Sequence, residues 1–105
     1  MNPIIRILLV EDHLIARIGI SSIINIQPDM VVAAEAKNGI QGVEAYRRHL
    51  PDVTLMDLRM DGMNGCDALQ NIRREFPDAK IIVLSSHTGD AEIARVLPVS
   101  YTHLT

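Results

Sequence analysis

Four short apolar runs, each followed by a segment of helical period, constrain this chain more than any other feature. They are "IIRILLVE" (4–11), "MVVAAE" (30–35), "VTLMD" (53–57) and "KIIVLSS" (80–86). Near-continuous apolar runs of this length suit strands whose two faces are both covered by helices. The segments between them carry one apolar stripe each. Ala16, Ile20, Ile23 and Ile24 predict a helix over 14–26. Val43, Tyr46 and Leu50 predict one over 40–50, and Leu69, Ile72 and Phe76 one over 65–76. Pro28-Asp29, Asn38-Gly39, Pro51-Asp52 and Pro77-Asp78 punctuate these units, and each Pro stands where a helix must stop before a strand. The alternation predicts an α/β domain, a doubly wound parallel sheet with right-handed crossovers.

Composition narrows the class. A chain of 105 residues with 48% hydrophobic and 22% charged residues has room for one core and has too few charges for disorder. A net charge of −3 argues against a nucleic-acid surface on this chain. The lone Cys66 forms no internal disulfide, which suits a reducing compartment, and the cytoplasm is expected. "MNPIIRILLVEDH" lacks the long apolar stretch of a signal peptide, and no segment is apolar for long enough to cross a bilayer, so no membrane role is expected.

Sheets of this kind bind ligands beyond the carboxyl ends of their strands. Strand one ends in Glu11-Asp12, strand three in Asp57 and strand four in Ser85-Ser86. With strand order 2-1-3-4, strands one and three are neighbours, and Glu11, Asp12 and Asp57 crowd one crevice. Three carboxylates so close repel unless a cation sits among them. Hard oxygen donors suit Mg²⁺, which shares phosphate oxygens, and a Ser85 hydroxyl one strand over can donate to a phosphate. The pattern points to metal-assisted phosphoryl transfer. Singly, each residue has a plainer reading: Asp12 as a helix N-cap, Glu11 as a solvated strand end, Asp57 as a turn acid, Ser85 as structural. Asp61, in the turn sequence "DGMNG", reads as loop. Acids on both central strands with a hydroxyl on the next favour the joint reading.

"ILLVEDH", "DVTLMDLRMDGMNG" and "KIIVLSSH" resemble, in order and spacing, the three strand-end motifs of the receiver domain of bacterial two-component response regulators, and "EAKNGIQGVEAY" resembles its second strand–helix junction. "VEDHLIARIGISSII", with His13 after the acids, is similar to the NarL/FixJ (LuxR-type) subfamily. The resemblance runs from about Ile5 to Leu97. It implies a flavodoxin-like fold and, position by position, a set of roles. Asp57 is the phosphoacceptor for a sensor histidine kinase. Asp12 ligates Mg²⁺ directly, Glu11 acts largely through water, and the Arg59 backbone carbonyl is a further ligand. Ser85 is the switch hydroxyl, Ser86 lines access to the site, and Gly65 is the turn glycine. Asp61 stands where the family most often has Pro. Such a domain assists its own phosphoryl transfer and is not an enzyme in the ordinary sense. The subfamily implies DNA binding through a C-terminal domain absent from this chain, and homodimerisation on phosphorylation in the full-length protein. On the first helix Leu14, Ile15 and Ile18 are extra apolar surface, either for the kinase or for burial against a neighbouring helix.

The end of the chain departs from the family. After "EIARVL" a receiver continues into a fifth strand bearing a Lys and a fifth helix, whereas this sequence reads "PVSYTHLT". Codons for those eight residues can spell a transposon end and adaptor of a common sequencing library. Residues 1–97 are therefore expected to be an incomplete receiver domain, and 98–105 a non-native tail. The fifth strand and helix should be missing and strand four an open edge. Two other classes fit the sequence less well. A pseudo-receiver interaction module would never be phosphorylated, and retention of Glu11, Asp12, Asp57 and Ser85 argues against it. A flavin carrier needs a Ser/Thr/Gly-rich loop after strand one, where this chain has "EDHLIA", and a dehalogenase-type phosphatase needs an Asp-x-Asp that is not there.

Overall fold

The computed structural model describes residues 3–60 and 64–84, together with the backbone of 101–104. The elements run β1 (Ile5–Val10), α1 (Leu14–Asn25), β2 (Met30–Ala36), α2 (Gly39–His49), β3 (Val53–Asp57), α3 (Gly65–Glu75), β4 (Ile81–Leu84) and β5 (Tyr101–Leu104). The sheet is parallel throughout, in the order β2-β1-β3-β4-β5. The order 2-1-3-4 is the expected one.

The expectation of a missing fifth strand is corrected. Tyr101–Leu104 pairs in parallel with Ile81–Leu84, Ile81 opposite Tyr101 and Leu84 opposite Leu104. The physical reason is at β4, whose second edge would otherwise present unpaired N–H and C=O groups. A short segment with Tyr and Thr is well suited to extend beside it. Residues 85–100 lie outside the described residues.

The strands separate two apolar layers. On one side Leu8, Val10, Met56, Ile81 and Val83 pack against Val43 and Tyr46 of α2 and Ala68, Leu69 and Ile72 of α3. Phe76 closes that layer, its ring centroid 4.9 Å from that of Tyr46. On the other side Ile7, Leu9, Leu55 and Ile24 form a smaller cluster under α1. The alternation along β1 explains the division: Leu8 and Val10 point one way, Ile7 and Leu9 the other.

Helix boundaries have identifiable local causes. The Asn38 side chain accepts from the Gln41 N–H at 2.8 Å, and the Gln41 side chain accepts from the Lys37 N–H at 3.0 Å, a reciprocal cap that starts α2. Asn38-Gly39, read from the sequence as a breaker between strand and helix, is the start of α2. Asn64 caps α3 through the Asp67 N–H at 2.9 Å. Helix α2 stops at Leu50, which takes a left-handed φ of 44° and leaves the helix, so Leu50 is exposed and not on the predicted stripe. The stripe of α1 also differs from expectation. Its buried residues are Arg17 and Ile24, while Ile23 is 63% exposed. Positions 17, 20 and 24 follow i, i+3, i+7, and that row faces the sheet. Leu14, Ile15 and Ile18 stay exposed, so no neighbouring helix among the described residues covers them.

Gly65 is required by close approach. A Cβ there would collide with the Asp57 carbonyl oxygen and the Leu58 Cα, and its N–H donates to the Leu58 carbonyl at 3.1 Å. Gly19, in mid-helix α1, has open space around it. Gly65→Ala is therefore expected to destabilise the fold by about 1–3 kcal/mol through overpacking. Gly19→Ala should stabilise it by up to about 1 kcal/mol. Urea denaturation midpoints measure both, and a neutral Gly65→Ala would contradict the packing.

Candidate functional site

Register builds the site. Val10 lies opposite Met56 in the β1–β3 pair, and both are fully buried. The residues that follow each of them therefore emerge together at the carboxyl edge: Glu11 and Asp12 from β1, Asp57 from β3. Ligand atoms of Glu11, Asp12, His13 and Asp57 all lie within 4.8 Å of one another. On β4, Leu84 is paired with Asp57, and Ser85 and Ser86, which follow it, lie outside the described residues, as does Asp61.

Each acid is held differently. Glu11 is only 5% exposed. Its N–H donates to the Ala36 carbonyl at 3.0 Å, and its Oε2 accepts from the His13 N–H at 3.1 Å. Burial, and after it the charge and hydrogen bonding of Asp57, push the Glu11 carboxyl above the ordinary carboxylate range, and the two contacts from His13 offset part of that rise. Asp57 Oδ1 accepts from the Arg59 N–H at 2.9 Å, a turn that ties the carboxylate to the loop after β3.

Asp12 carries the clearest signal. Its Oδ1 is buried and makes no hydrogen bond, although His13 Nδ1 lies 3.0 Å away. The two observations differ because proximity alone does not give hydrogen-bond geometry. A buried carboxylate oxygen with no donor is costly, and a cation relieves that cost directly. The donor set of three carboxylates is hard and anionic, which fits Mg²⁺.

His13 is the residue whose place the sequence did not disclose. It served only as a subfamily marker, yet its Nδ1 is 3.2 Å from Glu11 Oε2 as well as 3.0 Å from Asp12 Oδ1. The two acids hold its imidazole above the ordinary range, the hydrogen bond to Glu11 first and the charge of Asp12 next. Its position directly after two acids was the available cue. Arg17 was also missed: its Nη1 donates to the Glu11 carbonyl at 2.9 Å. Among the described residues no helix is long and apolar enough to cross a membrane.

Comparison with known proteins agrees with this arrangement. The family profile described as "Response regulator receiver domain" matches residues 7–102. The chain is 44% identical over 93 residues to the transcriptional regulatory protein LiaR of Bacillus subtilis, covering 89% of this chain and 44% of that protein. It is 40% identical, with the same coverage, to the response regulator protein VraR of Staphylococcus saprophyticus. The chain thus spans less than half the length of these relatives. Among solved structures it resembles the response regulator domain of Thermotoga maritima CheB (TM-score 0.83, 35% identity, 95% of this chain and 78% of that one). It also resembles the receiver domain of a response regulator NarL from Mycobacterium tuberculosis (TM-score 0.86, 26% identity, 97% and 85%). Profile, relatives and fold concur, and the chain belongs to the receiver-domain family of two-component response regulators.

Proposed function

We propose that the chain accepts a phosphoryl group on Asp57 from the phosphohistidine of a sensor histidine kinase. The P–N bond of the donor breaks, a P–O bond to the Asp57 carboxylate forms, and the imidazole leaves, giving an acyl phosphate. The observation that carries this reading is the meeting of Glu11, Asp12 and Asp57 around a buried Asp12 oxygen that has no hydrogen-bond donor. Asp12, Asp57 and the Arg59 carbonyl would hold Mg²⁺, with Glu11 acting through water; the ion supplies neutralisation of the phosphoryl charge. The resemblance assigns Ser85 the hydroxyl that answers the phosphate.

The protein's own contribution is positioning. Asp57 sits at the end of a paired strand and is tied back by the Arg59 N–H, so its carboxylate is presented with little freedom to lose. Added charge and acceptor oxygens on Asp57 then bias the loops around it, which is the switching step. The relatives' names as transcriptional and response regulators support an output in transcription; a DNA-binding domain outside this chain, a cytoplasmic location and dimerisation of the full-length protein are proposed with it from the family resemblance. Residues 98–105 are read as translated adaptor, which the genomic frame past Leu97 tests.

Incubation with acetyl phosphate and Mg²⁺ should give one phosphoryl adduct by intact mass, lost on addition of chelator and absent in Asp57→Ala. An unmodified chain under these conditions would remove the proposal. A second expectation concerns pH. A carboxyl raised in the fold above its ordinary 4.5 favours the protonated state, so its contribution to stability is fully present below pH 4.5 and is lost as pH rises through the folded value. In chelator, Glu11→Gln should thus be more stable than the parent at neutral pH, with the difference closing below pH 4.5. The same substitution should weaken Mg²⁺ binding. Thermal melts across pH, with and without Mg²⁺, read both effects.

A further inference from the structure

Helix α1 begins without the usual devices. Its N-cap is His13, whose side chain makes no capping hydrogen bond, and no acid lies in its first turn. The His13 ring is engaged by Glu11 and Asp12. The His13 N–H to Glu11 Oε2 contact ties this turn through a side chain that the site itself uses, and a further contact holds its backbone, which aims two of the three carboxylates.

Arg17 is placed to do it. It is the one cation among the described residues that is buried, at 9% exposure. A guanidinium so placed is unfavourable unless its donors are satisfied. Its Nη1 donates to the Glu11 carbonyl at 2.9 Å, and its Nε stands 3.4 Å from Oε1 of Glu35 on β2. The Glu11 N–H is held separately by the Ala36 carbonyl of the same strand. The carbonyl that Arg17 grips belongs to the Glu11–Asp12 peptide. Fixing that plane sets ψ of Glu11 and φ of Asp12, and hence the directions of both side chains.

We propose that Arg17 is a positioning residue for the acid cluster: it braces the Glu11–Asp12 peptide against β2 so that both carboxylates meet Asp57 in the geometry a divalent cation needs. The inference rests on the Mg²⁺ reading above and deepens it. The guanidinium fork suits the task, since it reaches a carbonyl and a carboxylate at once, whereas an ammonium is a single point of charge.

The sign of the effect separates bracing from simple electrostatics. A cation near the cluster repels Mg²⁺, so removing it for charge alone would tighten binding. Loss of a brace weakens binding, by about tenfold or more, the usual scale for partners that orient metal ligands. Calorimetric titration of the chain with Mg²⁺, well below its unfolding midpoint, makes the test. Arg17→Met should bind about tenfold more weakly. Arg17→Lys should recover part of the loss, and Glu35→Gln, at a half-exposed position that leaves the Glu11 contact in place, should give a smaller weakening. A purely structural Arg17 lowers the unfolding temperature and leaves Mg²⁺ affinity unchanged or tighter, which overturns the inference. If Arg17→Met does not fold, affinities equal to the parent's in both Arg17→Lys and Glu35→Gln overturn it equally. Asp57→Asn is measured alongside: no Asp57-dependent binding in the parent chain refutes the underlying reading and this inference together, whereas normal parent binding with unaffected Arg17 variants refutes this inference alone.

Discussion

The register that sets Val10 opposite Met56 is the constraint on which the rest depends. A parallel pair has no freedom to slip by one residue, because a slip would turn every buried side chain to the wrong face. Leu8, Leu9, Val10 and Met56 are all fully buried, and each such side chain contributes about 1.5–3 kcal/mol on transfer from water. That sum outweighs the repulsion of the few carboxylates at the carboxyl edge. The core therefore forces together charges that would separate if free.

The opposite end of the strands is tied by neutralising contacts, and the contrast is informative. The Arg6 side chain donates to the His49 carbonyl at 2.8 Å and the Leu50 carbonyl at 3.3 Å, satisfying groups that the end of α2 leaves unpaired. Asp52 Oδ2 accepts from the Arg6 N–H at 2.8 Å, and the Asp52 N–H donates to the Arg6 carbonyl at 2.8 Å. At this end these polar groups have found partners. At the carboxyl edge Asp12 Oδ1 accepts no hydrogen bond, although His13 Nδ1 lies 3.0 Å away. A buried carboxylate oxygen without a donor, beside two further acids, is a conflict that a fold tolerates where function requires it.

The sheet, its order and the acids were legible because their signals are local or topological. Apolar runs give strands, breakers give their limits, alternating elements give a doubly wound parallel sheet, and the order 2-1-3-4 of such a sheet makes β1 and β3 neighbours. What escaped the sequence depends on three-dimensional context. Arg17 reads as a surface residue by type, and only its place on the row of Ile20 and Ile24 betrays that it points inward. Leu50 fits the stripe of α2 by spacing and leaves it because the backbone turns left-handed there. Asn38-Gly39 has the composition of a turn, and the Gln41 three residues on decides for a cap. The pairing of Tyr101–Leu104 with β4 could not be inferred from a tail matching no family motif; it follows from the edge that β4 offers.

Helix α1 joins the two halves of the problem. One side of it buries Arg17 and Ile24 and so reaches the acid cluster; the other carries Leu14, Ile15, Ile18, Ile23 and Ile26, each more than half exposed and none charged. Aliphatic side chains at such density on one helix exceed the scattered apolar residues normal at a surface. That side is apolar and carries no charge. Ile18 is the next residue after Arg17, and a rigid helix transmits displacement along its whole length. A contact on the outer side therefore bears on the same element that grips the Glu11–Asp12 peptide. In this fold the exposed apolar side and the contact of Arg17 with the Glu11 carbonyl are carried by one helix of twelve residues.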